Sequence, residues 1–318
     1  MNVRKRNSVI IFGVLILAIA IAGFIFGKFQ YGGSTANGKF IVAYLNSSDS
    51  DNFLATIKAG FNESAKKDTG IEVKFADGKS DVNLQIDQMN QFIAEKVNVI
   101  CINAVDLEAV VPVIEKANAA GIPVIAVNRA PKGGNYILAA SKNYEAGVLQ
   151  GQYMIKALPP NAKILYLEGT RSQESAQQRW TGFSDACLKQ RPDIQVLSNL
   201  DGNYDKAEGM KIMSVWLQIF PHFDAVVSGN DQMALGAIKA MQAAGRQGVA
   251  VSGVDGTSEA LKAISEGLMA QSVKQDGVKQ AQESFKLVEM IKEGKTPPKE
   301  NMIPFTSITK ENLNEFLK

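Results

Sequence analysis

From residue 40 almost to the end, short apolar runs alternate with segments whose apolar residues recur every three or four positions. Such runs read as buried strands and such segments as amphipathic helices. The first set has strands at 40–45, 71–75, 97–102, 122–127 and 136–140. Helices are predicted at 53–67, 84–96 and 107–120, the second after a Ser80-Asp81 cap and the last stopped by Gly121. The pattern then restarts, with helices at 144–158, 177–190, 204–219 and 233–244. Strands at 164–167, 194–197, 225–228 and 249–254 separate them. A last strand at 268–273 precedes a helix at 277–292, an extended tail at 303–308 and a terminal helix. Strands alternating with helices of this length predict an α/β chain with two doubly wound parallel sheets.

Polar tips stand at the carboxyl ends of several strands. Asn128-Arg129, Gly229-Asn230-Asp231 and Asp255-Gly256-Thr257 are the plainest. In open parallel sheets ligands bind at that edge, and a cleft between two such edges is a preferred small-molecule site. Asn230 and Asp255 lie one crossover apart, so both should face one cleft. The simpler reading makes each a cap for the helix that follows.

Composition narrows the function. The chain has 318 residues, 46% hydrophobic and 21% charged, which is globular and long enough for two domains. All four charges in residues 1–36 are basic; without them 30 basic residues face 32 acidic ones, so nothing suggests nucleic-acid binding. One histidine argues against a His-based triad or a His-rich metal site. Cys101 and Cys187 sit in apolar contexts and read as buried free thiols. No cofactor, metal or catalytic residue is expected. Gly78-Lys79-Ser80 is not a phosphate loop, because that motif needs a glycine where Val73 stands.

Arg4-Lys5-Arg6 precede an uncharged run from 9 to 26. Eighteen helical residues span roughly 27 Å, close to a hydrocarbon core of about 30 Å. The basic cluster should stay in the cytoplasm and the rest be exported. The length favours a retained anchor, while Ser34-Thr35-Ala36 fits signal-peptide cleavage. Residues 31–38 read as a flexible linker.

Val-Ser-Gly-Asn230-Asp-Gln-Met-Ala-Leu-Gly-Ala and Gly-Val-Asp255-Gly-Thr resemble the type I periplasmic sugar-binding proteins, specifically the ribose-binding group. Ile-Pro-Val-Ile-Ala-Val-Asn128-Arg129 and Asn-Phe53-Leu fit the same group, and the likeness runs from about residue 39 to the end. The resemblance implies two lobes joined by a three-strand hinge, with crossings near Ser141, Gln275 and Phe305. One lobe would be residues 39–141 plus 276–304, the other 142–275 plus 305–318. It also implies ligand contacts: Ser47, Asp51 and Phe53 in the first loop, Asn128 and Arg129 after the fourth strand. The second lobe would add Gln177, Tyr204, Asn230 and Asp255, with Gln275 at the hinge. Carboxylates and amides suit hydroxyls, and aromatic rings suit apolar sugar faces. Structural alternatives stand beside these roles: a core anchor for Phe53, a surface residue for Tyr204, an interlobe ion pair for Arg129.

Three positions depart from the group. It usually has Asp where this chain has Asn128, often Arg where this chain has Gln177, and Asn-Pro-Phe where this chain has Asp51-Asn52-Phe53. A pentose, a hexose or a cyclic polyol therefore stays open. The implied function is extracytoplasmic capture of such a solute for an ABC importer, by a monomer, with 9–26 as anchor if retained. A membrane-tethered sensor signalling to a receptor or histidine kinase is the alternative. A lac-repressor-type regulator shares the core fold but would carry DNA-binding helices where this chain has its apolar run.

Overall fold

The structure is a computed structural model that describes residues 38–317. The predicted anchor or signal segment lies outside the described residues. Among them, no helix is long and apolar enough to cross a membrane.

The first half builds β1 (Phe40–Asn46), α1 (Asn52–Lys67), β2 (Ile71–Asp77), α2 (Val82–Ala94), β3 (Val99–Ile102), α3 (Val111–Ala119), β4 (Val124–Val127) and β5 (Ile137–Ala140). The second builds α4 (Asn143–Ala157), β6 (Lys163–Glu168), α5 (Glu174–Phe183), β7 (Gln195–Asp201), α6 (Lys206–Ile219), β8 (Ala225–Ser228), α7 (Asp231–Ala243), β9 (Ala250–Asp255), α8 (Ser258–Ser265) and β10 (Gln271–Lys274). Then α9 (Gly277–Lys292), β11 (Glu300–Met302) and β12 (Thr306–Thr309) return to both halves.

Two six-stranded sheets result, in the orders β11-β5-β4-β3-β1-β2 and β12-β10-β9-β8-β6-β7. All neighbours are parallel except the β10–β12 pair at one edge. Central strands β3, β4 and β8 are buried throughout, because helices cover both faces of a parallel sheet. Each sheet has an apolar core on either side. Buried Cys101 and Cys187 are free thiols within two of them. The chain passes between the sheets three times: β5 to α4, β10 to α9, and β11 to β12.

Several boundaries differ from the sequence expectation. The helix expected at 107–120 begins at Val111, because Asp106 Oδ1 accepts from the Glu108 and Ala109 amides and holds a turn first. The helix predicted to run from 177 to 190 starts at Glu174 and ends in a π turn, Ser184–Leu188. Residues 258–265 form a helix that the sequence reading passed over, capped by the Thr257 hydroxyl. The extended tail is two short strands, one in each sheet, and the expected terminal helix is a 3₁₀ turn, Leu313–Glu315.

Candidate functional site

The carboxyl ends of both sheets face each other across a cavity of about 240 Å³, small against the roughly 300–1,000 Å³ of pockets for drug-sized ligands. Its walls come from both halves. Asp51, Phe53, Asn128 and Arg129 line one side, and Arg179, Tyr204, Asn230 and Asp255 line the other, with Gln275 between them.

Asp51 ends the loop after β1 and caps α1, its Oδ1 accepting from the Phe53 and Leu54 amides. That cap leaves Oδ2 for the cavity. Phe53 lines the cavity and also packs on the core beneath α1, so anchor and wall coincide. Asn128 follows β4 with φ +68°, a left-handed conformation that Asn tolerates better than most residues. Arg129 donates to the Ala104 carbonyl at 3.2 Å and reaches Gln173 of the opposite half at 3.4 Å. Burial lowers its pKa, with Asp51 and Tyr204 opposing.

On the other side, Tyr204 has φ +58° and its hydroxyl is 2.8 Å from Ser175 Oγ. Its ring lies against the bare backbone of Gly169, where a Cβ would overlap the ring. Asn230 does cap α7: its Oδ1 accepts from the Met233 amide at 3.0 Å, and its Nδ2 donates to the Tyr204 carbonyl at 3.1 Å. One Nδ2 hydrogen is left over, so capping does not exclude a ligand contact. Asp255 is different. Thr257, not Asp255, caps the following helix. The Asp255 carboxylate makes no hydrogen bond or ion pair to any described residue while lining the cavity. Burial pushes its pKa well above the usual carboxylate range; Arg179 opposes the shift, and Asp231 and Asp51 add to it.

Asp231, next to Asn230, is fully buried and ties three elements together. It accepts from Ser272 Oγ at 2.7 Å, from the Thr257 amide at 2.8 Å and from Thr257 Oγ1 at 3.1 Å. Burial nevertheless pushes its pKa up to about 6. This clamp fixes the Gly256-Thr257 turn and so the direction of Asp255, whose φ of +125° few non-glycine residues adopt.

Two sequence-predicted site residues lie elsewhere. Ser47 is buried behind the cavity, its hydroxyl donating to Asn103 Oδ1 at 2.7 Å. Gln177 is exposed and donates to the Arg171 carbonyl. The arginine expected at the position of Gln177 is present two residues later. On a helix, two residues rotate a side chain by about 200°, so Gln177 points out where Arg179 points in. Arg179 is buried and donates from Nε to Asn143 Oδ1 (3.1 Å), from Nη1 to the Gly229 carbonyl (2.6 Å) and from Nη2 to Gln275 Oε1 (3.0 Å). Gln173 and Ser175 were also missed. They sit at the start of α5, where no periodic signal separates cavity from solvent.

The arrangement offers fixed donors and acceptors from two bodies, two half-buried rings, and no group of three or more metal-ligating side chains among the described residues. Comparison with known proteins agrees with it. Residues 42–296 match the family described as periplasmic binding protein domain. The ribose import binding protein RbsB of Escherichia coli is 30% identical over 243 residues, covering 76% of this chain and 81% of that one. A xylitol-binding protein of Mycolicibacterium smegmatis is 29% identical over 84% of this chain and 76% of its own. Among solved structures, an ABC transporter solute-binding protein from Bacillus halodurans with bound myo-inositol superimposes with a TM-score of 0.83 at 31% identity, covering 89% of this chain and 99% of that one. With the fold, the facing strand tips and these likenesses in agreement, the chain belongs to the type I periplasmic sugar-binding proteins.

Proposed function

We propose that the cavity takes a monosaccharide or a cyclic polyol of similar size. The chain is an extracytoplasmic solute-binding protein of the kind that delivers such solutes to an ABC importer, in a family of non-enzymatic binders. Residues 39–141 with 276–304 form one lobe and residues 142–275 with 305–318 the other, and the solute is held between them. Asp51, Phe53, Asn128 and Arg129 meet it from the first lobe. Tyr204, Asn230 and Asp255 meet it from the second, joined by Arg179 and by Gln275 at the hinge.

The observation that carries this reading is the unpartnered carboxylate of Asp255. A half-buried carboxylate without donors is costly, and neighbouring hydroxyls of a polyol are the donors that would satisfy it. Arg129 and Arg179 balance Asp51 and Asp255, which suits a neutral solute. Arg179 restores the basic contact of the ribose group, so the remaining departures, Asn128 and Asp51-Asn52-Phe53, both lie on the first lobe. The likeness to a protein with bound myo-inositol at 31% identity brings cyclic polyols forward alongside pentoses.

A thermal-shift panel of myo-inositol, xylitol, ribose and common hexoses on the full chain tests this. A ligand at 100 times its Kd adds about 2.7 kcal/mol to stability. At least one of these solutes should raise the melting temperature, and a flat panel would refute the reading.

A further inference from the structure

We propose that Asn128 faces the solute as a hydrogen-bond donor, its polarity imposed by Arg179 through Gln275; the solute part rests on the function proposed above. Arg179 is the fixed end of the relay. Its guanidinium can donate but never accept, and acceptors from three separate segments (Asn143, Gly229 and Gln275) hold it in place. Whatever atom of Gln275 lies 3.0 Å from Arg179 Nη2 must therefore be the oxygen. That forces the Gln275 amide nitrogen toward Asn128, at 2.8 Å. The Asn128 atom there must in turn be its oxygen, since two amide nitrogens facing each other would both be donors.

The usual ambiguity between the two ends of an amide is removed by this relay. Asn128 Nδ2 is left with no partner among the described residues, on a side chain that lines the cavity. The left-handed backbone at Asn128 and the hydrogen bond its backbone N–H donates to the Ala139 carbonyl at 2.8 Å keep the residue at the strand tip.

The consequence is a specificity rule. The solute must present an acceptor opposite Asn128, such as a hydroxyl or ether oxygen. An ammonium group there would meet a donor with a donor, and a site built for one polarity rejects the other strongly. Asn128→Asp would keep the Gln275 bond and turn the free end into an acceptor. Gln275→Glu would do the same at a distance: its carboxylate still accepts from Arg179 but now needs a donor from Asn128. The Asn128 amide would then turn over and offer its oxygen to the solute.

Titration calorimetry on the full chain at pH 7 reads this, using myo-inositol with the complete sets of its single-position fluoro and amino derivatives. In the wild type, one ring position should accept fluorine within about threefold of the parent and lose at least tenfold with the amino group. At that position both Asn128→Asp and Gln275→Glu should reverse the order by at least tenfold. The same order in all three proteins overturns the proposal. If no inositol binds, the functional reading has failed for these probes, and side-chain amide NMR of the ligand-free protein still decides the relay. A Gln275 side-chain N–H should exchange with solvent more slowly than both of those of Asn128. The opposite order overturns the relay.

Discussion

At the scale of single residues, Asp255 combines two unfavourable features, a φ of +125° and a carboxylate with no partner. Such backbone strain costs on the order of 1–3 kcal/mol and is found where function requires it. Asp255→Asn should therefore weaken solute binding by at least tenfold while leaving the empty protein as stable as the wild type or more so. Reduced melting with unchanged affinity would mean that the carboxylate is structural. The pH dependence has a definite sign. Because the pKa is raised in the folded protein, protons favour the folded empty form over the unfolded chain below it. They also compete with the solute for the ionised oxygens. Affinity should fall as pH is lowered through the raised pKa, and Asp255→Asn should flatten that limb. Asp255 and Asn230 were legible in the sequence because each ends an apolar strand beside a glycine. Arg179 was not, because nothing in Glu-Ser-Ala-Gln-Gln-Arg-Trp marks which polar residue of a helix turns inward. Placing the family's arginine two residues early mistook an outward position for an inward one. Ser47 was misread for a related reason: a polar residue just past a strand can fold back under the loop and serve the backbone instead.

At the scale of elements, Arg179 depends on how α5 packs against α4. The two helices meet backbone to backbone. A Cβ on Gly147 would run into the Arg179 carbonyl oxygen, and one on Gly182 into the Tyr144 carbonyl oxygen. The same device joins α6 to α7, where Gly236 faces the Lys206 carbonyl and Gly209 faces Met233. Over-packing of this kind costs typically about 1–3 kcal/mol. Gly182→Ala should lower the unfolding free energy measured in urea by a comparable amount and, by pushing α5 away, weaken solute binding as well. Unaltered stability and affinity would show that the contact relaxes freely. Strands and long helices were readable because burial on both faces demands unbroken apolar runs, as in Val124–Val127 and Ala225–Ser228. The eight-residue helix at Ser258–Ser265 was not, since so short a segment gives only two turns of periodicity. The split tail escaped for a different reason. Residues 300–309 pair with two different sheets, and that choice is made by tertiary contacts that local pattern does not record.

At the scale of the whole molecule, few contacts close the cavity from both sides. Arg129 reaches Gln173 at 3.4 Å, a weak bond at that length, and Gln275 reaches Asn128 beside the crossings. A neutral hydrogen bond adds about 0.5–1.5 kcal/mol net, and one to a charged group about 1.5–3. Moving a two-state equilibrium from 1:99 to 99:1 takes about 5.5 kcal/mol. The interlobe bonds fall short of that, so they cannot by themselves hold the lobes together against the freedom gained on opening. Under the proposed function, a solute touching Arg129 and Asp51 on one lobe and Arg179 and Asp255 on the other would supply the remainder. The three passages between the sheets are where a bend is expected, with each sheet and its helices moving as a body. Solution scattering should therefore give a radius of gyration that shrinks when a binding solute reaches saturation. Arg129→Ala should weaken binding and raise the solute concentration needed for compaction. It should lower the stability of the empty protein by no more than the roughly 1.5–3 kcal/mol of a hydrogen bond to a charged group, since its bond to the Ala104 carbonyl is lost with it. A scattering profile indifferent to saturating solute would rule out closure as the means of capture.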